Sequence, residues 1–75
     1  MMGLMSDQEI TKIIANNLSR LRKEFHYTQK EAAEKADLNM NYYAKVERGE
    51  AMPSLKTIKK LTRAFKVTST DIIGF

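Results

Sequence analysis

Asn41, Lys45 and Arg48 are the residues of this chain whose types and spacing suggest chemistry. On a helix drawn over Met40–Arg48, at about 100° per residue, these three fall on one side. Tyr43 and Val46 fall on the other, with Glu47 beside them. The outward face is short of carboxylates and rich in hydrogen-bond donors. An asparagine amide matches the N6/N7 edge of adenine, and a lysine ammonium reaches O6/N7 of guanine. Arg48, at the end of the helix, is better placed for a phosphate. Met40 at its tip suits a thymine methyl, or equally the cover of a small core. Tyr42 flanks the face and offers a hydroxyl to a phosphate. The bland reading is a solvated surface of the kind an arbitrary helix presents, so the setting of the helix has to decide.

That setting is two short helical patterns, Thr28–Ala36 and Met40–Arg48, joined by Asp37-Leu38-Asn39. Two short helices meeting across a tight turn form the unit that inserts its second helix into the DNA major groove. Thr28 and Glu31 make a capping box at the start of the first, and Ala32, Ala33 and Ala36 give it a small-residue inner face. Asn39 is a good N-cap for the second helix and Gly49 a good terminator. Upstream, Ser6 and Glu9 form another capping box. After it Ile10, Ile14, Leu18, Leu21 and Phe25 step along one helical stripe. His26 stands where the chain must turn. Downstream, Ser54 caps a fourth helix with Leu55, Ile58, Leu61 and Phe65 inward and Lys56, Lys59, Lys60 and Arg63 outward. Lys59, Lys60 and Arg63 read as an ordinary charged face. Thr68 with Asp71 opens a last short helix carrying Ile72 and Ile73. No alternating stretch is long enough for a strand, so the expected fold is all-α, a compact five-helix domain.

Helix starts present unpaired amides and the positive end of the helix dipole. Those near Thr28–Gln29 and Ser54–Leu55 are therefore natural phosphate seats, which Lys30 and Lys56 would strengthen. The balance of 13 Lys+Arg against 9 Asp+Glu fits a polyanionic partner without requiring one. Val67, Ile72, Ile73 and Phe75 are more apolar than the end of a monomer needs. Core closure is one reading and a symmetric dimer seam the other, with Ile73 and Phe75 the better seam candidates and Ile72 beside them.

Seventy-five residues make one domain with a small core, and without cysteine no disulfide or thiolate metal site can reinforce it. Residues 1–5 are expected to be a flexible N-terminal segment and 6–75 the domain. One histidine, no cysteine and no phosphate-cradling glycine run leave little for catalysis, so neither an enzyme nor a cofactor is expected. Asp37–Asn41 opens like a calcium loop, but Tyr42 and Arg48 stand where such a loop needs glycine and glutamate, so no metal is expected either. No apolar run approaches the ~20 residues of a membrane span, and the start lacks the charged leader of a signal peptide. The expected location is cytoplasmic.

The segments Tyr-Thr-Gln-Lys-Glu-Ala-Ala-Glu-Lys-Ala-Asp-Leu (27–38), Tyr-Tyr-Ala-Lys-Val-Glu-Arg-Gly-Glu (42–50) and Pro-Ser-Leu (53–55) resemble the Cro/phage-repressor helix-turn-helix family, also called XRE-type. The likeness runs over roughly residues 10–73. It implies a lambda-repressor-like domain with its third helix in the major groove and Gln29 at the DNA backbone, buttressing that helix. It also implies homodimers on palindromic operators, and a structural ion pair between Arg22 and Glu47. The position of Glu47 near the inward side of its helix makes a cation partner plausible independently, since a half-buried carboxylate needs one. The chain departs from the family in Tyr43, where a branched aliphatic is common, and in His26, which replaces the usual glycine. In outline it resembles a Cro-like phage regulator or a restriction–modification controller protein. The alternative is an antitoxin or protein-interaction module using the same fold to bind a protein partner.

Overall fold

The computed structural model describes residues 5–75; residues 1–4, most of the expected flexible segment, lie outside the described residues. Among the described residues five helices follow one another: α1 (Asp7–Glu24), α2 (Gln29–Lys35), α3 (Met40–Glu47), α4 (Leu55–Phe65) and α5 (Ser69–Ile73). Among the described residues there is no strand, and no helix is long and apolar enough to cross a membrane.

Each helix starts where a short polar side chain satisfies an orphan amide. The Ser6 hydroxyl accepts from the Glu9 amide at 3.1 Å, and the Glu9 carboxylate accepts from the Ser6 amide at 2.8 Å. Thr28 with Glu31 and Thr68 with Asp71 close the same box, while Asn39 and Ser54 cap α3 and α4 by side chain alone. The first three helices stop in one way. A residue in the left-handed region (His26, Asp37, Gly49; φ +59°, +56°, +78°) turns the chain. The next amide then reaches back to the final turn: Tyr27 to Arg22, Leu38 to Ala33, Glu50 to Lys45. Of these three, only α3 uses glycine for this. His26 and Asp37 carry a left-handed strain of roughly 1–2 kcal/mol each, which the closing hydrogen bonds and the packing of the following residue offset.

The core joins Ile14, Leu18 and Leu21 of α1 to Ala32, Ala33 and Ala36, then to Tyr43 and Val46 of α3, Ile58, Leu61, Ala64 and Phe65 of α4, and Ile72 of α5. The alanines let α3 approach α2 closely. At one end Phe25 stacks on Tyr27 (5.4 Å between centroids), and both rings meet Phe65. Phe25 thus covers the core edge and remains 38% exposed.

Three expectations are corrected. Leu55, read as inward, is 84% exposed. It is the first residue of α4, and helical side chains lean toward the N-terminus, so it projects past the end of the helix. The inward place goes to Thr57, a buried polar residue. Ile72, offered as part of a dimer seam, is fully buried under α1. Its carbonyl accepts from the Asn17 amide at 2.9 Å, which ties α5 to α1. Lys60, grouped with the ordinary outer face, donates to the Asp37 carbonyl at 3.1 Å and clamps α4 to the α2–α3 turn.

Candidate nucleic-acid interface

The inner side of α3 is locked at both ends. Near its C-terminus, Arg22 of α1 grips Glu47 through Nε (2.9 and 3.1 Å to the two oxygens) and a terminal nitrogen (2.8 Å). The other terminal nitrogen of Arg22 donates to the Tyr27 carbonyl at 3.0 Å. Gln29 of α2 donates to the same carboxylate at 3.3 Å. The side chains of the pair are 17% and 6% exposed, respectively, so the charges are largely shielded from water. Burial alone would raise the Glu47 pKa, but the hydrogen bonds from Arg22 and Gln29 prevail and hold it below the usual carboxylate range. One cluster therefore joins α1, α2 and α3 and sets the pitch of α3 against the rest of the domain.

Near the N-terminal half of α3, the Tyr42 hydroxyl lies 3.2 Å from the Thr57 hydroxyl. Thr57 is in turn bonded to Ser54 through its hydroxyl and its amide, at 3.1 Å each. This chain joins α3 to the start of α4. Thr57 was not singled out in the sequence, although Ser-x-x-Thr at a helix start was a signal that the two would meet.

Tyr43 fills the center of the core with no exposed surface. Its hydroxyl is buried without a hydrogen-bond partner among the described residues. Burial, and then the neighbouring Glu47 carboxylate, push its pKa far above the ordinary phenol value. An unpaired buried donor costs free energy that a phenylalanine would not. Tyr43→Phe is therefore expected to raise unfolding stability by about 1 kcal/mol, read as the urea midpoint; a lowered midpoint would mean that the hydroxyl bonds Glu47 in solution.

The outer side of α3 is open. Met40, Asn41, Lys45 and Arg48 are all exposed, with Met40 at 48%. Among the described residues three of the four side chains carry no intramolecular bond; Arg48 makes a two-point pair with Glu50, a residue not singled out in the sequence, at 3.0 and 3.1 Å. Lys30 and Lys56 are exposed, and Gln29 is half-buried against Glu47. The hydroxyl and amide of Thr28 are both spent on its capping box. That leaves the Gln29 and Lys30 amides as the open donors of α2, since the first amides of a helix have no intrahelical acceptor. Ser54 is likewise engaged with Thr57, leaving the amides of Leu55 and Lys56. Ile73 is half-buried, and Phe75, beyond the last helix, is 67% exposed.

A helix-turn-helix family model matches residues 18–72, from the middle of α1 to the core residue of α5. The chain is 34% identical over 61 residues to the immunity repressor of Bacillus phage phi105, which covers 81% of this chain and 42% of the repressor. It is 28% identical over 65 residues to an HTH-type transcriptional regulator of Sinorhizobium fredii, covering 87% of this chain and 84% of that protein. The chain thus spans less than half of the phage repressor but most of the Sinorhizobium protein. Among solved structures, the transcription factor NHTF from Neisseria superimposes with a TM-score of 0.83 at 25% identity, over 97% of this chain and 84% of that one. The restriction–modification controller protein of Aeromonas hydrophila gives 0.79 at 27% identity, over 83% and 94%. With this match running over most of the same five helices, the chain belongs to the helix-turn-helix family of the phage-repressor (XRE) type.

Proposed function

We propose that the protein is a sequence-specific double-stranded-DNA-binding transcriptional regulator that sits on a palindromic operator as a homodimer, with α3 in the major groove. The observation that carries this reading is the contrast between the two sides of α3. Its inner side is immobilised by the Arg22–Glu47–Gln29 cluster and the Tyr42–Thr57–Ser54 chain, while Met40, Asn41 and Lys45 stand outward. A rigid helix with an open row of donors and a methionine suits base edges. Asn41 and Lys45 take the reading role, with Met40 against a thymine methyl. Gln29, Lys30, Tyr42, Lys56 and the amides beside Thr28 and Ser54 hold phosphates, and Arg48, once released from Glu50, can take one more. Ile73 and Phe75 supply the dimer seam, from which Ile72 is excluded by its burial.

Selection of bound duplexes from a random pool near physiological salt tests the reading. Enrichment of a palindrome supports it, and recovery without enrichment rejects it. Two variants refine it. Lys30→Ala should weaken binding to all sequences alike and flatten the salt dependence of log K by about one unit per half-site; an unchanged slope removes Lys30 from the phosphate contacts. Ile73→Asp together with Phe75→Asp should give monomers by sedimentation at concentrations where the wild type is dimeric, without unfolding the domain. Dimers that persist would place the seam elsewhere.

A second reading, a module that binds a protein through this fold, draws on the exposure of Met52 (43%), Leu55 and Phe75. A stoichiometric partner that co-purifies and blocks DNA binding would favour it.

A further inference from the structure

Glu50 has no part in the interface proposed above, yet its place is closely specified. Gly49, in the left-handed region, turns the chain, and the Glu50 amide donates to the Lys45 carbonyl at 2.8 Å, folding residue 50 back over the last turn of α3. From there its carboxylate takes Arg48 at two points, Nε at 3.1 Å and a terminal nitrogen at 3.0 Å. Both side chains stay about half exposed, at 51% and 55%. The hydrogen bond from Arg48, then the charges of Arg48 and Lys45, hold the Glu50 carboxyl below the usual carboxylate range. The carboxylate therefore feels two of the cations on the outer face of α3.

Stability does not account for this placement. A solvated ion pair adds little to folding, and a carboxylate at the C-terminal end of a helix faces the negative end of its dipole. On a surface otherwise furnished for a polyanion, a carboxylate that occupies a cation also works against raw affinity.

We propose that Glu50 is a specificity-determining residue, whose carboxylate stands in for a DNA phosphate on Arg48 in the free protein and so weakens binding to duplexes that α3 does not read. The inference rests on the DNA-reading function proposed above. Nonspecific binding draws its free energy from phosphates. On random DNA, Arg48 has to leave Glu50 for a phosphate, and the freed carboxylate then faces the backbone as a like charge. On the operator, contacts from Asn41 and Lys45 hold the register, and Arg48 can remain on Glu50. A repulsive group that penalises the wrong partner more than the right one is a general route to specificity.

The test compares wild type, Glu50→Gln, Arg48→Gln and the double variant on two duplexes of equal length, one random and one carrying the selected operator, across a salt series. Glu50→Gln should tighten random-duplex binding by about three- to tenfold and steepen its salt slope by up to about one unit per protomer. Operator affinity should change less, so the operator-to-random ratio falls. The gain should vanish in the Arg48→Gln background, and the urea midpoint of Glu50→Gln should match wild type. Unchanged random binding overturns the proposal, as does an operator gain equal to the random gain. A gain that survives without Arg48 also overturns it, because simple charge removal would then suffice. Lost operator affinity confined to one base pair would instead make Glu50 a reader of a cytosine amino group. Absence of any enriched operator defeats the functional reading alone, since the random-duplex comparison still tests the Arg48–Glu50 pairing.

Discussion

Glu47→Ala is expected to lower the stability of the domain by about 3–5 kcal/mol, the cost of leaving a shielded charge without its partner. Arg22 would then keep one hydrogen bond, to the Tyr27 carbonyl, and lose the three that run to the carboxylate. Gln29 would lose its contact with α3 as well. A domain of this size has a total stability near the low end of roughly 5–15 kcal/mol, so the unfolded fraction at ambient temperature should rise to between a few per cent and about half. Urea unfolding followed by far-UV circular dichroism measures the loss, and a change below about 1 kcal/mol would show that the pair is solvated and structurally idle.

Acid titration gives an independent handle on the same pair. The folded pKa of Glu47 lies below its unfolded value, because the hydrogen bonds from Arg22 and Gln29 outweigh the opposing effect of burial. A depressed carboxylate contributes stability that is full above the unfolded pKa, about 4.3, and is lost as pH falls through the folded value. Glu9 and Glu31 are shifted in the same direction, so acid destabilisation has several sources. Glu47→Gln should make the decline shallower between about pH 5 and pH 3 without abolishing it. An unaltered pH profile would remove Glu47 from those sources.

Asn41→Ala and Lys45→Ala carry the largest expected effects on binding. Under the proposed function each removes a reader worth roughly 1–3 kcal/mol at its base pair. In the proposed symmetric dimer every substitution occurs twice, and well-separated half-sites add. Discrimination at the operator should therefore fall by about 2–6 kcal/mol, or roughly 30-fold to 20,000-fold. Binding to random duplex should change little for Asn41→Ala, which alters no charge, and somewhat more for Lys45→Ala, which removes one cation per protomer. Both side chains are exposed and carry no hydrogen bond or ion pair among the described residues, so unfolding midpoints should stay at the wild-type value. Repeating the duplex selection with each variant is the check. A variant that enriches the same sequence as the parent would show that its residue is not a reader.

Much of the architecture was visible along the chain because its signals are local. Capping boxes at Ser6, Thr28 and Thr68 need residues three apart, and the α1 stripe needs residues three or four apart. The five helices and their order follow from such patterns, and the family match covers the same stretch. Leu55 shows where periodicity misleads. It satisfies the 3.6-residue repeat, but at the first position of a helix there is no preceding turn for its side chain to cover. His26 shows a preference outweighed: its backbone is left-handed without being glycine, because the hydrogen bond from Tyr27 to Arg22 closes the turn.

The candidate site divides along the same line. Helix boundaries, the outward row of Met40, Asn41 and Lys45, and the basic surplus could be read from residue types and short spacings, since the angle between residues within one helix is set by backbone geometry. Other features waited for the tertiary structure: the burial of Ile72 under α1, the Tyr42–Thr57 link across 15 positions, and the seating of Gln29 and Arg22 on one carboxylate from different helices. These depend on how far one helix slides and rotates against another. That is decided by packing of the whole core at once, and no window of sequence contains it.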